Sequence, residues 1–211
     1  MKIGIYGGSF NPVHLGHVGI ARRAIVDLGL DRLLVVPASI SPFKADRSAE
    51  ELPWDRVELV QAAFAAVDKA EVDLRELKRG GVSYAIETVR EIADENPGAE
   101  LFFIVGEDSV EDLPRWKDYD ALCKLCQFRA YPRTPESSSA IRQLFMDNKV
   151  VVNPDEKLAR VVREGVVRKN GFCPCRLPKL PEFFCPCDEF KEQLADPNYH
   201  GLCHCRLYLK P

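Results

Sequence analysis

Two histidines three residues apart, His14 and His17, close the stretch Gly7-Gly8-Ser9-Phe10-Asn11-Pro12-Val13-His14-Leu15-Gly16-His17. That spacing puts both imidazoles on one face of an opening helical turn. Imidazoles there can donate hydrogen bonds to phosphate oxygens. The glycines let the backbone approach a ligand closely, and a helix amino end favours an anion. The pattern is neither the dinucleotide fingerprint nor a P-loop. A second reactive set lies near the other end of the chain, in Cys173-Pro174-Cys175, Cys185-Pro186-Cys187 and Cys203-His204-Cys205. Six of the eight cysteines fall in those three pairs. Outside an oxidising compartment, such density argues for metal or redox chemistry rather than a disulfide framework. Six thiols exceed the roughly four that one zinc or iron–sulfur centre takes, so four ligands plus a reactive pair is an economical reading.

The elements that would position these groups alternate. Lys2-Ile3-Gly4-Ile5-Tyr6 reads as a strand and Val18 to Leu28 as a helix. Leu33–Val36 and Leu101–Val105 are fully apolar runs, the mark of strands buried on both faces. Residues 38–53 are polar and proline-bearing, a long loop of the kind that closes over substrates. Trp54 to Val67 shows helical spacing. Val72, Leu74 and Leu77 suggest a less buried strand. Ser83 is expected to cap a helix that stops at Pro97-Gly98. A helix over Lys117–Leu125 and a strand over Gln127–Tyr131 complete the series. The fold class this implies is α/β, a Rossmann-like doubly wound parallel sheet. Ligands bind such sheets beyond the carboxyl ends of the strands, where Gly7–His17, Pro37–Lys44 and Gly106–Trp116 all fall. Cys123 and Cys126 read as buried structural cysteines.

The chain has 211 residues and a formal net charge of −3. That balance disfavours a nucleic-acid or membrane-surface role. No apolar run approaches membrane-span length, and Met1-Lys2 leads directly into a strand, so a cytoplasmic location is expected. Charge is uneven: residues 149–211 are net +3 and the rest net −6.

The Gly7–His17 stretch resembles the signature of the HxGH nucleotidyltransferases and is most similar to that of the nicotinate-nucleotide adenylyltransferases. Further stretches extend the likeness. Ser41-Pro42-Phe43-Lys44 resembles the family's Pro-Pro-His-Lys loop, with Phe43 in place of histidine. Gly81-Val82-Ser83-Tyr84-Ala85-Ile86-Glu87-Thr88 resembles the segment near the pyridine ring, with Ala85 and Glu87 as departures. Gly106-Glu107-Asp108, Leu113-Pro114-Arg115-Trp116 and Ser137-Ser138-Ser139-Ala140-Ile141-Arg142 resemble three more. The resemblance covers residues 1–145 and implies ATP, with Mg²⁺, and nicotinate mononucleotide as substrates. It implies His14, His17 and Lys44 in catalysis, and Gly7, Gly8, Ser9, Phe10, Ser138, Ser139 and Arg142 at ATP. Ser83, Tyr84, Asp108 and Trp116 would face the mononucleotide or a ribose. Only Thr134-Pro135-Glu136 separates Arg133 from the serine motif, so the sheet is expected to be one strand short.

Residues 149–211 resemble the catalytic chain of ferredoxin–thioredoxin reductase, a small α-rich, Cys-rich iron–sulfur module. A new helix is announced by Asn153 as cap and Pro154 in its first turn. The resemblance implies a [4Fe-4S] cluster on Cys173, Cys185, Cys187 and Cys203. It implies a redox-active disulfide between Cys175 and Cys205, proton transfer by His204, a ferredoxin-like donor and a thioredoxin-like target. The second reading of the whole chain is a catalytically weakened nucleotide-binding sensor that gates an iron–sulfur thiol–disulfide reductase.

Overall fold

The two fully apolar runs become the centre of a parallel sheet. In a computed structural model, which describes residues 1–43, 52 and 54–211, the strands are β1 (Lys2–Gly8), β2 (Arg32–Pro37), β3 (Ala70–Val72), β4 (Glu100–Gly106) and β5 (Gln127–Tyr131). Their order is β3-β2-β1-β4-β5, every pairing parallel. The order reverses between β1 and β4, the switch at which doubly wound sheets bind ligands. Gly7 and Gly8 end β1, and Gly106 ends its neighbour β4. No strand after β5 joins this sheet among the described residues, as the short Arg133–Ser137 connection predicts.

The chain forms two compact units. The first comprises Met1–Ser9, Gly16–Glu50 and Val67–Pro135. It holds the sheet with α1 (Leu15–Leu28, beyond its first residue), α3 (Arg75–Arg79), α4 (Ala85–Glu95) and α5 (Tyr119–Leu125). One face of the sheet, through Ile3, Ile5, Leu34, Phe103 and Val105, packs with Ile86, Val89 and Ile92 of α4 and Leu122 of α5. These α4 positions recur at helical spacing, so one stripe of the helix meets the sheet.

Three expectations in this unit are corrected. The segment Val72–Leu77 is not a strand: β3 stops at Val72 and α3 begins at Arg75. The Asp73 carboxylate accepts a hydrogen bond from the Arg75 N–H at 2.9 Å, which turns the chain into the helix. Ser83 does not cap α4. Tyr84 is the cap residue, and the Ser83 hydroxyl instead accepts from the Ser39 N–H at 2.8 Å. Cys123 is exposed, against expectation, whereas Cys126 is buried and donates to the Leu122 carbonyl. Burial pushes the Cys126 thiol up to about 12, which leaves it inert.

The second unit comprises Phe10–Leu15, Glu51–Ala66 and Glu136–Pro211. It contains α2 (Arg56–Phe64), α6 (Ser138–Asp147), α7 (Glu156–Arg168) and α8 (Asp188–Ala195). A small antiparallel sheet joins β6 (Val151–Val152), β8 (Tyr208–Lys210) and β7 (Gly201–Leu202) in that order. Asp155, rather than Asn153, caps α7, accepting from the Leu158 N–H at 3.0 Å. Asn153 holds the approach instead: its amide donates to the Arg206 carbonyl and its oxygen accepts from the Asp155 N–H. Phe145 of α6 is buried against Trp54, Phe190 of α8 and Tyr208 of β8. Among the described residues, no helix is long and apolar enough to cross a membrane.

Candidate active site and cysteine cluster

In the first unit, Gly7 and Gly8 finish β1 in register with Val36 and Pro37 of β2. A side chain at Gly7 would press on the Phe103 ring, its Cβ 3.0 Å from Cζ, so the strand end stays bare and close to its neighbour. Ser9 follows, half-buried. His17 lies in the first turn of α1, half-buried, its ring tilted against that of Tyr6 at 6.4 Å. Burial pushes the Tyr6 phenol far above its usual range; the Arg133 charge opposes that shift and the Asp108 charge adds to it.

Beyond the end of β4, Asp108 Oδ1 accepts from Arg133 Nε at 2.6 Å. Arg133 follows β5 by two residues, so adjacent strand ends supply the two partners. Gly106 makes room for the pair. A Cβ there would stand 2.5 Å from Asp108 Oδ1 and 3.3 Å from Arg133 Nε. Gly106→Ala is therefore expected to displace the carboxylate, a flexible end, without unfolding the sheet. With Asp108 at a ribose, as the family resemblance implies, steady-state assays should show KM for the nucleotide raised about tenfold with kcat largely kept, the pattern of lost ground-state binding.

On the same unit, Ser83 is tied to the chain after β2: its N–H donates to the Ile40 carbonyl at 2.9 Å and its hydroxyl accepts from Ser39. The Lys117 ammonium sits 4.2 Å from the centroid of the Tyr84 ring and 2.9 Å from Glu87 Oε1. Trp116 is half-buried, edge-on to Phe103 at 5.5 Å and to Phe128 at 5.9 Å. These contacts fix the indole's plane with few degrees of freedom. Lys44 lies outside the described residues.

The second unit carries the middle of the Gly7–His17 stretch. Phe10 has a left-handed backbone, φ 45°, unusual for a bulky side chain. Its buried ring packs edge-on against Phe64 of α2 at 6.0 Å, so only its backbone is left to meet a ligand. Next to it, Trp54 Nε1 donates to Asn11 Oδ1 at 2.8 Å. The start of α6 docks on the same turn. The Ser138 hydroxyl donates to the Pro12 carbonyl at 2.9 Å. Arg142, buried, donates to the Asn11 carbonyl and, at 3.0 Å, to the Ser139 hydroxyl. The serine–arginine motif and the Asn11–Pro12 turn are thus one hydrogen-bonded assembly, although far apart in sequence. His14, also buried, has Nδ1 3.7 Å from Glu136 Oε2.

A cytidylyltransferase-like family model matches residues 5–165. The chain is 35% identical over 142 residues to the probable nicotinate-nucleotide adenylyltransferase of Aliarcobacter butzleri, covering 67% of this chain and 77% of that one. It is 38% identical over 159 residues to the probable nicotinate-nucleotide adenylyltransferase of Shouchella clausii, covering 75% and 82%. The chain belongs to the nicotinate-nucleotide adenylyltransferase family. In fold it is similar to the Plasmodium falciparum nicotinic acid mononucleotide adenylyltransferase complexed with NaAD, with a TM-score of 0.51 and 17% identity over 68% of this chain and 83% of that one.

The match to the cytidylyltransferase-like family model stops at residue 165, before the first of the paired cysteines. All eight cysteines of the chain are unbonded. Cys173, Cys185, Cys187, Cys203 and Cys205 are buried in the second unit, whereas Cys175 and His204 are exposed or at its surface. An antiparallel bridge between Phe172 and Phe184 lays the first two cysteine arms side by side, and Cys185 N–H donates to the Gly171 carbonyl. Cys203 and Cys205 have their sulfurs 3.6 Å apart, and the Tyr208 N–H donates to the Cys203 sulfur at 3.3 Å. The Cys205 thiol is hydrogen-bonded with both Cys173 and Cys203. It is pushed far up, while those two are pulled below the usual thiol range. Burial pushes Cys187 up to about 11 and Cys185 well above its ordinary value. The expected ligand set is therefore not laid out as a metal centre: among the described residues, no group of three or more His, Cys, Asp or Glu is placed to hold a metal ion. Cys205 contacts Cys173 and Cys203, and the expected Cys175–Cys205 disulfide is not formed.

Several residues that shape these regions carried no signal as functional groups in the family likeness. Arg133 and Glu136 flank the shortened connection, and Lys191 lies in α8. A basic residue just past the end of β5 was the available hint for Arg133. Asn11, inside the signature, was visible only as a turn former.

Proposed function

We propose that the chain transfers the adenylyl group of ATP to nicotinate mononucleotide, giving deamido-NAD and pyrophosphate. The observation that carries the reading is the Gly7-Gly8 end of β1 at the sheet's switch point, continuing into His14-Leu15-Gly16-His17 at the start of α1. The named relatives support the substrate pair. The mononucleotide phosphate attacks the α-phosphorus of ATP in line and pyrophosphate leaves with Mg²⁺, which enters with ATP. No covalent nucleophile is required, so catalysis is positioning plus charge stabilisation. In this reading His14 and His17 stabilise the phosphate oxygens as charge develops, with Lys44 as a further cation. Gly7, Gly8, Ser9 and the Phe10 backbone supply close contacts to ATP, and Ser138, Ser139 and Arg142 contribute hydroxyls and a guanidinium to the same ligand. Asp108, released from or shared with Arg133, takes ribose hydroxyls, and Trp116 with Ser83 and Tyr84 takes the pyridine end. The test is direct: purified chain with ATP, Mg²⁺ and nicotinate mononucleotide should give equimolar deamido-NAD and pyrophosphate by chromatography. ATP binding without either product would leave the sensor reading in its place.

A second function is favoured by the burial of five thiols in one unit. In this reading Cys173, Cys185, Cys187 and Cys203 hold a [4Fe-4S] cluster. The four donors are all thiols shielded from water, the chemistry such a cluster takes, although they are not gathered around one point. When bound, the cluster supplies electrons singly from a ferredoxin-like donor. Cys175 and Cys205 act as the dithiol that reduces a thioredoxin-like target by exchange, and His204 at the surface carries protons. Anaerobically purified protein is expected to be brown, absorbing broadly near roughly 400 nm as thiolate-ligated clusters do. A colourless chain with stoichiometric zinc would exclude the reductase function while leaving the transferase assay unaffected.

A further inference from the structure

His14 does not end the chain of charges in the second unit. Its Nδ1 is 3.7 Å from Glu136 Oε2, and Glu136 Oε1 is 4.0 Å from Lys191 Nζ. Lys191 also pairs with Asp188 in the first turn of α8, and Cys187 is that helix's cap residue. Histidine, glutamate and lysine all belong to one compact unit. The histidine residue is only 8% exposed, so its ring is confined by packing. At 3.7 Å the carboxylate is an ion-pair neighbour of Nδ1 rather than a hydrogen-bond acceptor, close enough to bias the ring's orientation by charge and leave Nε2 as its other polar atom. The same carboxylate has a drawback near phosphates, because its charge repels them. Lys191 offsets that charge from the far side.

We propose that Glu136 is a positioning residue for His14 in adenylyl transfer and that Lys191, on a helix of the cysteine-rich stretch, neutralises it. The proposal rests on the transferase reading, with His14 at the ATP phosphates. It assigns a part of the transferase site to residues outside the signature. Lys191 lies beyond the region matched by the family model, so the cysteine-bearing stretch contributes to adenylyl transfer through a side chain of its own.

The two charges have separable signatures. Glu136→Gln keeps the shape and removes the charge. It is expected to lower kcat about tenfold, with KM for ATP unchanged or lower, since an orienting partner and a repulsive charge are lost together. Glu136→Asp keeps the carboxylate and should recover at least part of kcat. Lys191→Met leaves Glu136 uncompensated and should raise KM for ATP about threefold to tenfold. In the Glu136→Gln background the Lys191→Met effect on KM for ATP should vanish, because the carboxylate beside His14 no longer needs neutralising and the remaining partner of Lys191, Asp188, does not contact His14. A thermal midpoint close to wild type in each variant separates positioning from folding. If wild type itself makes no deamido-NAD, the transferase reading fails and the inference falls with it. If wild type turns over, an unchanged kcat in Glu136→Gln overturns the inference, and so does a Lys191→Met effect that persists in the double variant.

Discussion

His17→Ala is expected to reduce pyrophosphate release from ATP and nicotinate mononucleotide by at least about 100-fold, the scale of removing one preorganised donor from a developing charge. His17 occupies the first turn of α1, where the helix dipole already favours an anion. The imidazole adds a directed donor to that fixed field. Its ring leans on Tyr6 of β1, so it is set before any ligand arrives. Such donors are worth most when no reorganisation is needed at the moment of reaction. Alanine is a strong helix former, and the half-buried ring contributes little to the core, so the fold should persist. Far-ultraviolet circular dichroism and a melting curve check that point. Pyrophosphate release, measured at saturating substrates, checks the other. Wild-type turnover in a folded His17→Ala protein would remove the histidine pair from the mechanism and with it the main support for the assignment.

The central strands were legible because Leu33–Val36 and Leu101–Val105 are buried on both faces, which forces a continuous apolar run. The segment after Val72 was not. Its apolar residues Leu74 and Leu77 alternate loosely, and the deciding element was a local hydrogen bond from the Arg75 N–H to Asp73. The site divides in the same way. Gly7, Gly8, His14 and His17 are candidates that type and spacing alone single out, since a phosphate turn is a local device. Asp108 with Arg133 and His14 with Glu136 could not, because each pair joins residues that only folding brings together. Phe10 shows the limit of a motif. Its place in the signature suggests a ligand contact, yet its ring packs against Phe64 and its left-handed backbone is what shapes the turn. Cysteine spacing likewise located the thiols without giving their partners. The hydrogen bond between Cys205 and Cys173 depends on how two separate arms meet.

Phe145→Ala should have the largest effect on stability, about 3–5 kcal/mol, the range for emptying a buried aromatic site. The ring is 1% exposed and meets three other aromatic rings edge-on: Trp54 at 5.1 Å, Tyr208 at 5.3 Å and Phe190 at 5.8 Å. Those partners come from the approach to α2, from β8 and from α8. No single neighbour can collapse into the space, because Phe190 and Tyr208 are already stacked on each other at 6.0 Å. A loss of this size is a large share of an ordinary domain's 5–15 kcal/mol or so. The consequence reaches the site through Trp54, whose indole donates to Asn11, the residue whose carbonyl also receives Arg142. Denaturant unfolding followed by tryptophan fluorescence should show an earlier transition in Phe145→Ala, with Phe145→Leu intermediate. Activity should fall at temperatures where the variant's transition begins, before any change in the signal of the parallel sheet. A midpoint within about 1 kcal/mol of wild type would mean that the aromatic cluster relaxes around the hole and that the Asn11–Pro12 turn is held by its hydrogen bonds alone.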